Sequence, residues 1–272
     1  MRPPLIIIGS HRSGTSATAQ ALGTMGLFLG ARLQKEHAEP FWLADLHDEY
    51  LYEVGATWYA PQRLLDYLAT EHGKKHCAAF LRLRVQGRGG YYGLWRNFGG
   101  FPHGALMALG WPLAWGWKEP RTTLFASIWA EIFPEARFLH VVRHPLDVAI
   151  SLQRRELKAL EAGDPPKPGL EDLDTCVALV GQYVQCGLEM AKLGDRYREI
   201  RFEDLQENPA EGLADLARFA GMSISKAKLE RAVSQIDSKR RSRWQQLPDT
   251  TVAELMQAYP FAARFGYRTA VL

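Results

Sequence analysis

Between Pro4 and Gly9 the chain carries four consecutive apolar residues, three of them isoleucine. A short β-branched run closed by glycine predicts a strand buried on both faces. The loop Ser10–Gly14 follows, and the stretch from Thr15 to Leu22 predicts a helix that Gly23 or Gly26 ends. The same succession recurs twice. Ala136–Val142 predicts a second buried strand, with a helix from Pro145 to about Leu160, and Arg198–Phe202 predicts a weaker third strand. A helix over Ala210–Ala220 follows that strand and stops at Gly221. Strands alternating with helices predict an α/β fold, a three-layer parallel sheet with helices on both faces. Asp174–Lys192 has helical periodicity, and residues 222–258 read as two helical pieces divided by the basic turn Ser238–Arg243. The C-terminal part, 222–272, is therefore expected to be helical. Glu161–Gly169 holds three prolines and two glycines, so 161–173 reads as a surface loop or lid. Without repeats, heptads or low-complexity tracts, one domain with helical insertions is expected over residues 1–272.

One segment breaks the pattern. From Asn97 to Trp117 there is no Asp, Glu, Lys or Arg, yet five glycines and two prolines interrupt it. So many breakers argue against a membrane span and for a buried, irregular, aromatic-rich segment. Five of the eight tryptophans fall between Trp95 and Trp129, which suggests an apolar acceptor pocket in the broken part and core packing for Trp129. Lys and Arg number 33 against 30 Asp and Glu, a formal charge of +3, which disfavours a nucleic-acid partner. Cys77, Cys176 and Cys186 have no metal-like spacing, and the N-terminus lacks a signal-peptide layout. Both features lead to the expectation of a cytoplasmic protein with reduced thiols.

The loop between the first strand and helix, Gly9–Ser16, has the spacing of a Walker A loop, G-x-x-x-x-G-K-[ST], with Thr15 in the lysine position and a cation earlier, at Arg12. Backbone N–H groups of such a loop, backed by a helix N-terminus, suit a phosphate group. Where ATPases and GTPases end a neighbouring strand in a metal-side aspartate, Val142 is followed by Arg143 and His144. An arginine there opposes a metal ion and favours a second anionic group, so a nucleotide held without obligatory Mg²⁺ is expected.

Four stretches in order then resemble the sulfotransferase family that uses 3′-phosphoadenosine 5′-phosphosulfate (PAPS). They are Gly9–Ser16, Trp117–Arg121, Val142–Ser151 and Arg201–Pro209, within a match of spacing over residues 5–220. The G-x-x-G-x-W-K-N ending of the cytosolic steroid and phenol members is absent. The resemblance implies a P-loop NTPase-like fold and in-line transfer of a sulfuryl group from PAPS to a hydroxyl of a small-molecule, lipid or glycan acceptor, without a metal. It implies that His11, Arg12, Ser13, Gly14, Thr15 and Ser16 cradle the 5′-phosphosulfate, and that Arg143 and Ser151 hold the 3′-phosphate. By the same resemblance Arg240 or Arg241 of the C-terminal basic cluster clamps that phosphate. For catalysis, Arg12 and Lys118 (with Arg121 as a further cation) would stabilise the transferring group. Glu39, placed before a helix over Leu43–Tyr52, is the first choice of general base, with His37 and His11 as competitors. Two other readings remain at this stage: a P-loop kinase using ATP and Mg²⁺, and a non-catalytic nucleotide-binding protein.

Overall fold

The computed structural model describes residues 2–34, 36–86, 113–237 and 242–267. Trp95, Trp111, Arg240 and Arg241 lie outside them, as does most of the charge-free segment. Strand β1 (Leu5–Ile8) is the central element, and its side chains alternate between two cores. Ile6 and Ile8 join one cluster and Leu5 and Ile7 the other, and none is more than 2 % exposed. Burial on both faces is what the unbroken apolar run required. Among the described residues the main sheet is parallel and ordered β4–β1–β5–β6, with β4 at Gly116–Lys118, β5 at Arg137–Val142 and β6 at Tyr197–Arg201.

The Leu5/Ile7 face is covered by α1 (Thr15–Met25) together with helices over Pro209–Phe219 and Lys226–Val233. The Ile6/Ile8 face is covered by α2 (Phe41–Glu53), then α3 (Gln62–Ala69), α4 (Glu71–Gln86), α5 (Ala126–Ile132), α6 (Pro145–Glu161) and α7 (Leu173–Leu188). The three-layer α/β architecture is thus observed. No helix among the described residues is long and apolar enough to cross a membrane.

Of the two glycines expected to end α1, Gly26 does so, its φ of 118° and N–H bonds to the Leu22 and Gly23 carbonyls making the cap. Other boundaries differ from expectation for local reasons. The third strand is Tyr197–Arg201 rather than Arg198–Phe202, because Phe202 opens the next helix, Phe202–Glu207. Helix α7 starts on Asp172, whose side chain accepts the Thr175 N–H, and passes at Glu189 into a 3₁₀ segment. The end of the charge-free segment is a strand: β4 lies beside β1, and a Cβ on Gly116 would sit 1.8 Å from the Leu5 carbonyl oxygen. Glycine is therefore what lets β4 approach.

Trp115, Trp117 and Trp129 are buried core residues, and each indole N–H has an acceptor. They fill the interior and do not line an acceptor pocket, so the expectation drawn from the tryptophan cluster fails for Trp115 and Trp117.

Candidate active site

A parallel sheet delivers the residues that follow its strands to one edge, and ligands of such sheets bind at the carboxyl ends. Here β1 delivers the loop 9–14, β4 ends on Lys118, β5 leads into Arg143, and β6 into Phe202. These meet around a cavity of about 650 Å³. Its wall includes His11, Arg12, Gly14, Thr15, Ser16, Glu39, Lys118, Arg121, Arg143 and Ser151, bringing together residues more than a hundred positions apart. A second cavity of similar volume, walled by Leu65, Leu68, Leu124 and Phe261 among others, contains none of the expected site residues.

The loop is held from below by a reciprocal pair: Gly9 N–H donates to Thr123 Oγ1 at 2.9 Å, and that hydroxyl donates back to the Gly9 carbonyl at 3.0 Å. Arg12 has a φ of 70°, a left-handed conformation that costs a non-glycine residue roughly 1–2 kcal/mol. Its guanidinium reaches across the cavity, Nε donating to Ser151 Oγ at 2.9 Å. The first loop and the second-strand motif are thus joined by one hydrogen bond. Gly14, with a φ of 98°, caps α1 without a side-chain acceptor, and a Cβ there would lie 2.3 Å from the Phe202 ring. The uncapped first-turn N–H groups of α1 are the donors that an anion takes.

Ser13 departs from expectation. Its hydroxyl donates to the Ser10 carbonyl at 2.8 Å and its N–H to the same oxygen at 3.2 Å, and it is 1 % exposed. Both donors are spent on closing the loop, so Ser13 shapes the cradle without facing it. His11 stands in the wall, its ring 4.3 Å from Trp58 and 6.0 Å from Tyr183, with Nε2 buried and unpartnered. Burial, aided by the charges of Arg121, Lys118 and Arg155, holds its pKa well below the ordinary histidine value, so the ring is neutral near pH 7.

Glu39 makes a buried ion pair, Lys118 Nζ to Glu39 Oε1 at 2.6 Å, with Lys118 only 1 % exposed. Burial lowers the Lys118 pKa, and the Glu39 carboxylate partly restores it. The pair lies where the short β3 (Glu39–Pro40) meets the end of β4, beside the loop of β1. His37 also lines the cavity.

Behind Lys118 runs a buried polar chain. Trp129 Nε1 donates to His47 Nε2 at 3.0 Å, which leaves the proton on Nδ1 to be donated to Glu119 at 2.7 Å. Glu119 also holds Arg121 at 2.6 Å, and Arg121 in turn pairs with Asp48 at 2.7 Å. Burial alone would raise the Glu119 pKa, but the His47 hydrogen bond and the Arg121 charge outweigh it and bring it to about 2. A pKa depressed in the folded state stabilises the fold above the unfolded value and is lost as pH falls through the folded one. Stability should therefore decline between about pH 4.5 and about pH 2, by on the order of 3 kcal/mol from this carboxylate. His47→Gln should lower the melting temperature at pH 7 and flatten that acid decline. An unchanged acid limb in thermal unfolding would show that His47 does not hold Glu119 ionised.

On the far side of the cavity, Arg143 NH2 pairs with Asp147 at 3.2 Å, while its Nε is buried and unpartnered. Asp147 also accepts the N–H groups of Arg243 and Trp244, at 2.7 and 3.2 Å. Trp244 stacks on His144 with ring centroids 4.3 Å apart and planes 2° apart. These contacts bring the segment that follows the basic cluster onto the Arg143 motif, although Arg240 and Arg241 themselves are outside the described residues. Burial, with Arg143 and Arg201 nearby, lowers His144 to about 3, so the stack is neutral.

Sequence reasoning missed Trp58, Arg155 and Lys167 in the cavity wall, as well as the His47–Glu119 chain. Only Arg155 carried a signal, because it lies four residues beyond Ser151 and so shares its helix face.

Compared with known proteins, residues 3–226 match a family model described as the sulfotransferase family. No curated protein matches the chain. Among solved structures, the sulfotransferase domain from the curacin biosynthetic pathway aligns at a TM-score of 0.57 with 18 % identity, over 98 % of this chain and 99 % of that one. The sulfotransferase domain of the Synechococcus PCC 7002 olefin synthase gives 0.56 and 18 %, over 98 % and 95 %. Sulfotransferase STF9 from Mycobacterium avium gives 0.54 and 14 %, over all of this chain and 79 % of that one. At such identities the structural likeness is one of fold.

Proposed function

The chain belongs to the sulfotransferase family, and from that membership we propose that it transfers a sulfuryl group from PAPS to an acceptor hydroxyl. The observation that carries the reading is the 2.9 Å bond from Arg12 to Ser151, which sets the phosphate loop and the Arg143 motif around one cavity. Two anionic ends of one nucleotide require two such poles. The residues fit PAPS on local grounds. A glycine-capped helix N-terminus supplies free N–H groups at one pole, and the buried, unpartnered Nε of Arg143 supplies a donor at the other.

Bound there, PAPS would supply the sulfuryl group and, as leaving group, a 5′-phosphate on whose bridging oxygen negative charge accumulates. Arg12 and Lys118 place fixed cations at that region, where a preorganised charge gives more than solvent can. Gly14, Thr15 and Ser16 hold the 5′ end through backbone N–H groups and hydroxyls, with His11 in the adjoining wall. Arg143 and Ser151 take the 3′-phosphate. Glu39 is the proposed base for the acceptor proton. Its partner Lys118 lies 2.6 Å away, so the ammonium is placed between the proposed base and the transferring sulfonate. A cytoplasmic setting and action without a metal belong to the same proposal.

Calorimetry with 3′-phosphoadenosine 5′-phosphate (PAP) in EDTA, beside ATP with Mg²⁺, tests it. Micromolar or tighter PAP binding without metal is expected, and a requirement for Mg²⁺ with preference for ATP would overturn the reading.

A further inference from the structure

The cavity holds more cations than one nucleotide uses, and their partners sort them. Lys118 is matched by Glu39, Arg121 by Glu119 and Asp48, Arg143 by Asp147, and Lys167 by the more distant Glu156 at 3.4 Å. Arg155 also lines the cavity, and among the described residues it has no carboxylate partner. Lys167 lines it too, from the loop after α6, and this lysine is placed rather than free to roam. The buried Glu156 accepts the Lys167 backbone N–H at 2.7 Å and its ammonium at 3.4 Å. That carboxylate pins the loop to the helix, with Lys167 facing the cavity.

We propose that Arg155 and Lys167 form an anion subsite for the acceptor, so that the preferred acceptor is a hydroxyl compound bearing a carboxylate or similar small anionic group. The inference rests on the PAPS reading above, because it assigns to the acceptor what the nucleotide leaves over. Position supports it. Asp147, Ser151 and Arg155 follow one another along α6 at four-residue steps, and Arg143 precedes the helix at its N-terminal end. Arg155 is one step, about 6 Å, beyond Ser151, on the side of Lys167 and away from Arg143. A cation there is displaced from the 3′-phosphate pole within a cavity whose wall also includes His11, Trp58 and Arg121. The charge of Arg155 also contributes to the lowered pKa of His11, after burial and the charges of Arg121 and Lys118. Among the described residues the wall also holds Glu39, which is matched by Lys118, Glu36 from the hairpin over Leu33–Pro40, and Asp237.

The measurement is binding to the PAP-saturated protein, in which the nucleotide poles are already filled. The probes are two matched pairs: 4-hydroxybenzoate against 4-hydroxybenzyl alcohol, and glucuronate against glucose. The anionic member of at least one pair should bind about tenfold tighter, and R155Q/K167Q should reduce that advantage to about twofold or less. PAP affinity of the variant should stay within about twofold of wild type, since exposed cations off the phosphate poles contribute little to it. Equal binding within both pairs overturns the proposal. So does an advantage that survives in the variant, or a fall in PAP affinity parallel to the loss, which would assign both cations to the nucleotide. Failure of the wild-type protein to bind PAP is a separate result, which removes the PAPS reading and this inference with it.

Discussion

Arg12→Ala is expected to lower sulfate transfer from PAPS by about a thousandfold, the scale seen when a preorganised transition-state donor is lost, while PAP affinity falls by about tenfold or less. The asymmetry follows from where charge develops. In the ground state the 5′ phosphosulfate has several donors, including the first-turn N–H groups of α1, so one arginine among them is a modest part of binding. In the proposed reaction, charge concentrates on the bridging oxygen as the sulfuryl group departs, and Arg12, held in a left-handed conformation and bonded to Ser151, is the cation assigned to it. Turnover is read as labelled sulfate passing from PAPS to a screened acceptor or to water. Retained turnover would remove Arg12 from the chemistry, and a parallel loss of PAP affinity would make it a binding residue only. Arg12→Lys separates charge from geometry, since a lysine keeps the charge but loses the planar fork that meets Ser151 and an anion together.

Arg143→Ala should act in the opposite sense. PAP affinity is expected to fall by about a hundredfold, because a bidentate arginine–phosphate contact is among the stronger polar contacts and its site is largely buried. An analogue without the 3′-phosphate should lose no more than about threefold, since it never made the contact. Equal losses for the two nucleotides would show that Arg143 does not read the 3′-phosphate. The variant also strips the buried Asp147 of its cation, which can cost about 1–3 kcal/mol of stability. Asp147 keeps its two N–H donors from Arg243 and Trp244, so the fold has a remaining anchor there. Binding at several temperatures below the melting point distinguishes lost affinity from lost fold.

Much of the cavity was legible in the chain because its parts are local. A phosphate loop is a contiguous run whose spacing follows from backbone geometry, so Gly9, Arg12, Gly14 and Thr15 announce it. Arg143 and Ser151 are likewise fixed within one strand end and one helix. What was not legible depends on contacts between distant segments. Nothing near Glu39 indicates that its partner is Lys118, seventy-nine residues on. The expectation of an acceptor pocket from the tryptophans rested on composition, which counts rings without placing them. Trp115 and Trp117 went to the core because β4 packs beside β1, an arrangement that the small Gly116 permits. Ser13 shows the same limit at short range. Its residue type suits a phosphate, but the Ser10 carbonyl takes both its donors.

By itself the sequence determined the layered α/β fold, the loop and its helix, and the two motifs, Gly9–Ser16 and Val142–Ser151, that are proposed to hold the two ends of a nucleotide. These follow from periodicity, glycine positions and strand ends, all written within a few residues of one another. The tertiary structure alone decided which charges are already satisfied and which remain available. Lys118 and Arg121 have buried carboxylate partners, and Arg155 has none among the described residues. Coulomb energies depend on separation and burial in space, which folding sets and sequence distance does not.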